Sequence, residues 1–154
     1  MSQAKRGRRH GHLRQEPSEE GRKKALRLAI EQHCMFNYEI RDISEVAYPD
    51  ESFDVVASIF FHLPKNTRTR FYHNAARWLK PGGVFILEGF TPKQLQFSSG
   101  GPKDVDLLVS TEQLIDELKG IEINELTETR KVLNEGTYHQ GMASVIDLVG
   151  KRIK

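Results

Sequence analysis

The sequence holds a single cysteine, Cys34, which excludes an intrachain disulfide and fits a reducing compartment. No apolar run approaches the roughly 20 residues of a membrane-spanning helix, and the first residues lack the apolar core of a secretory signal. A cytoplasmic location, away from any membrane, is therefore expected. No Cys/His cluster has metal-ligand spacing, and His10 and His12 lie in a basic stretch, so no metal site is expected. Strong net charge is missing too: 23 Lys and Arg against 21 Asp and Glu give +2.

The charge is unevenly spread. Lys5, Arg6, Arg8, Arg9 and Arg14 all precede the first acidic residue, Glu16. Residues 1–15 are read as a basic arm, and three readings of it stay open: a solvated disordered tail, a nucleic-acid or nuclear-import patch, or the remnant start of a domain. A single basic cluster without interleaved aromatics is a weak nucleic-acid signal, and no nucleic-acid partner is expected. Residues 16–154 read as one domain's worth of chain.

That domain is organised around residues 53–92. Phe53 to Ile59 and Val84 to Leu87 are almost continuously apolar, as strands buried on both faces of a parallel sheet are. Between them, Asn66 to Leu79 has the length of a crossover helix, with Phe71, Ala75, Trp78 and Leu79 at helical spacing. Pro81 forbids continuation of the helix, and Gly82-Gly83 permits a reversal into the next strand. This βαβ unit predicts an α/β fold whose ligands gather beyond the carboxyl ends of the strands, at Ser58 to Pro64 and Glu88 to Gln94.

Elsewhere the pattern is plainer. Pro17 to Gly21 opens a helix with Ser18 as N-cap and Ala25, Leu26, Leu28, Ala29 and Ile30 as its buried face. Met35 to Arg41 alternates as a short strand would. Gln96 to Asp106 is a Gly-rich loop of the length of lids and binding segments. Ser110 or Thr111 caps a helix with Leu114, Ile115 and Leu118 inward, ended by Gly120. Ile121 to Leu133 and Met142 to Lys151 read as two strands around the loop 134–141.

Phe53-Asp54-Val55-Val56 followed by Leu79-Lys80-Pro81-Gly82-Gly83 resembles the fourth and fifth strands of the class I S-adenosylmethionine-dependent methyltransferases, and among them the tellurite-resistance type of small-molecule enzyme. The resemblance implies a Rossmann-like, doubly wound, mostly parallel sheet that ends in an antiparallel strand pair. It implies S-adenosylmethionine as cofactor and a small-molecule methyl acceptor as partner. In that family an acidic residue after the second strand holds the ribose, which places Glu16; a surface glutamate is the competing reading. Another binds the adenine, which places Asp42 with the amide of Ile43, against a plain cap on the Ser44 turn. Ser58, Ile59 and Phe60 line the middle of the cleft. His62, Glu88 and His139 are candidate proton acceptors, because methyl transfer needs alignment and at times removal of a proton. Each has a plain alternative: a helix start, a neighbouring base as partner, an exposed loop.

One family feature has no counterpart. No G-x-G-x-G follows an apolar strand ahead of Glu16, so the first strand and its glycine-rich loop are expected to be missing from a truncated domain. An unpaired edge on Phe53 to Ile59 then favours self-association, unless Met35 to Arg41 closes against it. Two function classes stay open: a small-molecule methyltransferase with weak cofactor binding, and a non-catalytic remnant acting as an interaction module.

Overall fold

The computed structural model describes residues 19–153. They fall into two units, Met1–Val46 and Ala47–Lys154. Glu16, Ser18 and the basic arm lie outside the described residues.

In the first unit, helix α1 spans Glu19–Glu31, as the acidic first turn and apolar spacing predict. Its side chains differ from expectation: only Ala29 is buried, while Leu26, Leu28 and Ile30 are exposed. The helix surface is held instead by local ion pairs such as Lys23 with Glu20 at 2.9 Å. Met35 to Arg41 is not a strand. Its alternation suits an extended backbone, but a strand also needs a ladder partner, and among the described residues the sheet does not include it.

The second unit carries one four-stranded sheet in the order β1-β2-β4-β3. Strand β1 (Phe53–Ile59) and helix α2 (Lys65–Trp78) lead to β2 (Leu79–Phe90). β1 and β2 are parallel neighbours, with Val56 beside Phe85 and Ser58 beside Leu87. This is the βαβ unit expected from the apolar runs. Two short 3-10 turns (Pro92–Gln96 and Val105–Leu107) and helix α3 (Thr111–Glu117) follow. Strands β3 (Ile121–Asn134) and β4 (Gln140–Arg152) form the antiparallel ending, with β4 inserted beside β2.

Burial follows the strand period. Phe85 and Leu87 of β2 point with Ile146 and Leu148 of β4 into the core, where α2 adds Phe71, Tyr72, Ala75 and Trp78. The opposite face of β1 is open: Val55 and Ile59 are each 51% exposed. Ser110 caps α3 in a reciprocal capping box with Gln113, and Leu114 and Leu118 are buried. Ile115, expected inward, is exposed, because a seven-residue helix turns only one narrow stripe to the core.

A buried ion pair ties α2 to α3. Arg68 donates through Nε and Nη2 to the two oxygens of Glu117, at 2.7 and 2.8 Å. Its Nη1 donates to the carbonyls of Leu63 and Asp106, each at 3.3 Å. Burial pushes the pKa of the neighbouring Tyr72 hydroxyl upward.

Candidate active site

The site forms where β1 and β2 run out. Phe60, just past β1, has a φ of 47°, a left-handed backbone that a bulky residue adopts only under constraint. Its N–H donates to the Glu88 carbonyl at 2.7 Å and extends the ladder by one bond. The next donor on this side of β2, the Phe90 N–H, lies beyond the last paired residue of β1. It donates instead to Nε2 of His62 at 3.2 Å, so an imidazole substitutes for backbone at the end of the sheet.

Four rings close over this point. His62 stacks on Phe90, with centroids 5.4 Å apart and planes at 8°. Phe60 lies 4.7 Å from Phe90, and the edge of His139, from the β3–β4 turn, meets both at 5.5 and 5.9 Å. Behind Phe90 stand Leu108, Leu133, Ala143 and Val145. Burial, and to a smaller degree the nearby His139, lower the His62 pKa to about 4, against the opposing pull of its bond to the Phe60 backbone. His62 is thus a neutral imidazole at physiological pH.

A pH dependence follows. The unfolded chain protonates His62 near 6.5, and the folded chain near 4. Its contribution is complete above the unfolded value and lost as pH falls from 6.5 towards 4, at most about 3 kcal/mol at 1.36 kcal/mol per unit. Urea unfolding across this range is expected to show that slope, and His62→Gln to lack it.

The Gly-rich loop is a packed segment rather than a free lid. The Gln94 amide nitrogen donates to Ser99 Oγ and to the Gly100 carbonyl, both at 3.0 Å, and its oxygen accepts the Ser144 N–H at 2.8 Å. Ser99 Oγ donates to the Met142 carbonyl at 2.6 Å, and Thr91 and Ser144 share a hydroxyl bond at 2.7 Å. All four side chains are buried. Gly101, at φ 82°, lies so close to Phe90 that a Cβ would sit 2.6 Å from the ring. Gly101→Ala combines a left-handed backbone with a clash against a fully buried ring, and is expected to cost about 2–4 kcal/mol in urea unfolding.

Glu88 is held by Lys131, which donates to it, and lies directly across from Asp147 on β4. Burial raises the Asp147 pKa, with the Glu88 charge adding to it and Lys131 opposing. Asp42 and Ile43 belong to the first unit. There Asp42 Oδ1 accepts from the Ser44 N–H at 2.8 Å and the Ser44 hydroxyl at 2.7 Å, an Asx turn. Ser58 is buried on the core side of β1, and Ile59 projects from the open side.

Of the residues singled out in the sequence, the structure thus brings Phe60, His62 and His139 together. Phe90, Lys131 and Asp147 were not anticipated. Asp147 had a signal, a lone acid in the apolar run V-I-D-L-V; Phe90 had none beyond its place at the strand end.

This geometry now meets its relatives. A sequence profile described as a methyltransferase domain matches residues 4–87, more than half of the chain. The chain belongs to the class I S-adenosylmethionine-dependent methyltransferase family. The match begins inside the basic stretch. A phosphoethanolamine N-methyltransferase of Triticum aestivum is 32% identical over 66 residues, which make up 43% of this chain but only 13% of that enzyme. Among solved structures, a SAM-dependent methyltransferase of Methanosarcina mazei superposes with a TM-score of 0.66 and 16% identity, covering 90% of this chain and 80% of that one. TehB of Haemophilus influenzae gives 0.65 and 14%, over 90% and 48%. The two likenesses have nearly equal TM-scores over the same share of this chain, so they show the methyltransferase fold and favour no branch. Among the described residues no helix is long and apolar enough to cross a membrane.

The described residues do not fit the whole of the family's cofactor. The glycine pair Gly100-Gly101 is filled by Phe90, Tyr138 and His139 and offers no cradle for a ligand. No G-x-G-x-G exists in the sequence to hold a methionine carboxylate.

Proposed function

We propose that the chain serves S-adenosylmethionine-dependent methylation of a small molecule, and that its described residues build the acceptor side of the site. The observation that supports this best is the cluster of Phe60, His62, Phe90 and His139 beyond the carboxyl ends of parallel strands, the place where such folds bind ligands. The stretch shared with phosphoethanolamine N-methyltransferases supports a nitrogen nucleophile as the acceptor.

S-adenosylmethionine supplies a methyl group on a sulfonium, poised for displacement. This chain's residues exclude water with the Phe60 and Phe90 rings and take the proton that the acceptor loses. His139 suits that role better than His62. His62 Nε2 is occupied by the Phe90 N–H, so protonating it would break that bond. Glu88 is already paired with Lys131. Asp42 with the Ile43 amide remains our candidate for the adenine, Glu16 for the ribose, and Ser58, Ile59 and Phe60 for the middle of the cleft. The exposed Cys34 thiol is compatible with a cytoplasmic location.

The test is transfer of labelled methyl from S-adenosylmethionine to phosphoethanolamine, run with cofactor in the millimolar range. Turnover is expected, with His139→Ala slowed by about 10²–10⁴-fold, the usual worth of general acid–base catalysis. The second reading, a non-catalytic interaction module, is favoured by the open face and edge of β1. It predicts no turnover from a folded chain, together with concentration-dependent self-association in sedimentation velocity that Ile59→Lys abolishes.

A further inference from the structure

Glu135 and His139 stand at the two ends of the turn between β3 and β4. The Glu135 N–H donates to the His139 carbonyl at 2.9 Å, and the His139 N–H donates to the Gly136 carbonyl at 3.1 Å. The backbone therefore fixes how far apart the two side chains start. Glu135 Oε2 lies 3.7 Å from His139 Nδ1, an ion-pair distance that a small torsion of the half-exposed carboxylate shortens to a hydrogen bond.

The rest of the imidazole is held from other directions. Its edge rests on Phe60 and Phe90. Its far side faces Gly100, where a Cβ would lie 2.8 Å from Cδ2 and 3.5 Å from Nε2. A glycine at this position lets the backbone and the ring pack this closely. The groups that face His139 are few: from the β1 exit the neutral His62, from β2 the uncharged Phe90, and from the turn itself Glu135 and Tyr138. Glu135 also acts on Lys131.

We propose that Glu135 is a positioning residue for His139. It keeps Nδ1 protonated and leaves the Nε2 lone pair as the proton acceptor beside Gly100. This rests on the reading above that His139 takes the acceptor's proton. A bare histidine on a hairpin turn would choose either tautomer and swing freely. One tied at Nδ1 presents a single basic atom in one direction. The chemistry it serves is deprotonation of the amine or hydroxyl of a small acceptor.

The test needs neither cofactor nor acceptor. Long-range ¹H–¹⁵N spectra of the ¹⁵N-histidine-labelled chain report the tautomer of each ring. His139 is expected in the Nδ1-protonated form in the wild type and in Glu135→Gln, whose amide oxygen still accepts. In Glu135→Ala it is expected to revert, several-fold in population, to the Nε2-protonated form that free imidazole favours. His62 serves as internal control for an intact fold, with unchanged signals in both variants. A wild-type His139 protonated at Nε2, or one whose tautomer is the same in Glu135→Ala, overturns the proposal. Because no transfer reaction is involved, that failure is separate from a failure of the methylation reading, which the turnover assay decides.

Discussion

Replacing Arg68 by alanine is expected to remove about 3–5 kcal/mol of folding stability, a large part of the roughly 5–15 kcal/mol that a domain possesses. The residue and its partner Glu117 are 3% and 4% exposed at the side chain, and the pair is bidentate. Taking away the guanidinium strands a carboxylate out of water, with no other cation shown against it. It also frees the Leu63 and Asp106 carbonyls that Arg68 bridges. The cost thus comes from the abandoned charge more than from any large net worth of the pair. For that reason the double variant Arg68→Met/Glu117→Leu is expected to recover most of the loss, since apolar side chains of similar volume replace both ions. Urea denaturation of the wild type and of the single and double variants checks this. A loss below about 1 kcal/mol for Arg68→Ala would show that water reaches the pair.

The second large effect concerns the cofactor. Calorimetric titration of the chain with S-adenosylmethionine is expected to give a dissociation constant in the millimolar range or weaker. The methionine end of that molecule carries an ammonium and a carboxylate, and the sequence offers no glycine-rich turn whose amides approach them. Two or three absent hydrogen bonds to charged groups, at about 1.5–3 kcal/mol each, amount to about a hundredfold or more in affinity. The nearest glycine pair cannot stand in, because Gly100 and Gly101 are packed against the chain's own Tyr138, His139 and Phe90. A one-to-one complex of low-micromolar affinity would contradict this and show that the adenosine contacts suffice.

The βαβ unit was readable because its strands are apolar on both faces and its helix is the right length to cross between them; both properties are local. The antiparallel ending was readable for the same reason. Met35 to Arg41 misled because alternation reports only which way side chains point. Whether an extended segment becomes a strand depends on a partner far along the chain, which no local pattern records. The face of α1 misled likewise: Leu28 and Ile30 have helical spacing, but spacing cannot say what they pack against. At the candidate site, His62 and His139 were visible as titratable residues near strand ends. That His62 would be a hydrogen-bond acceptor for backbone, and His139 the freer ring, depends on where β1 stops relative to β2. The offset of one bond between Phe60 and Phe90 decides it, and that offset is tertiary.

The order β1-β2-β4-β3 sets the sequence of events as the chain is made. Strand β3 leaves the ribosome before β4 but has no seat on the sheet of its own, because β4 lies between it and β2. Until β4 arrives, β3 is an unpaired ribbon, and the side of β2 that β4 will cover has no strand of its own yet. The register joins Leu87 of β2 to Leu148 of β4, contacts distant in sequence and slow to form. β3 and β4 therefore have to meet as a hairpin and dock together. Glu135 to His139, the turn argued above to hold a proton acceptor, is also the hinge on which that late docking waits. A substitution there that leaves the finished protein intact can still leave more nascent chains for chaperones to catch.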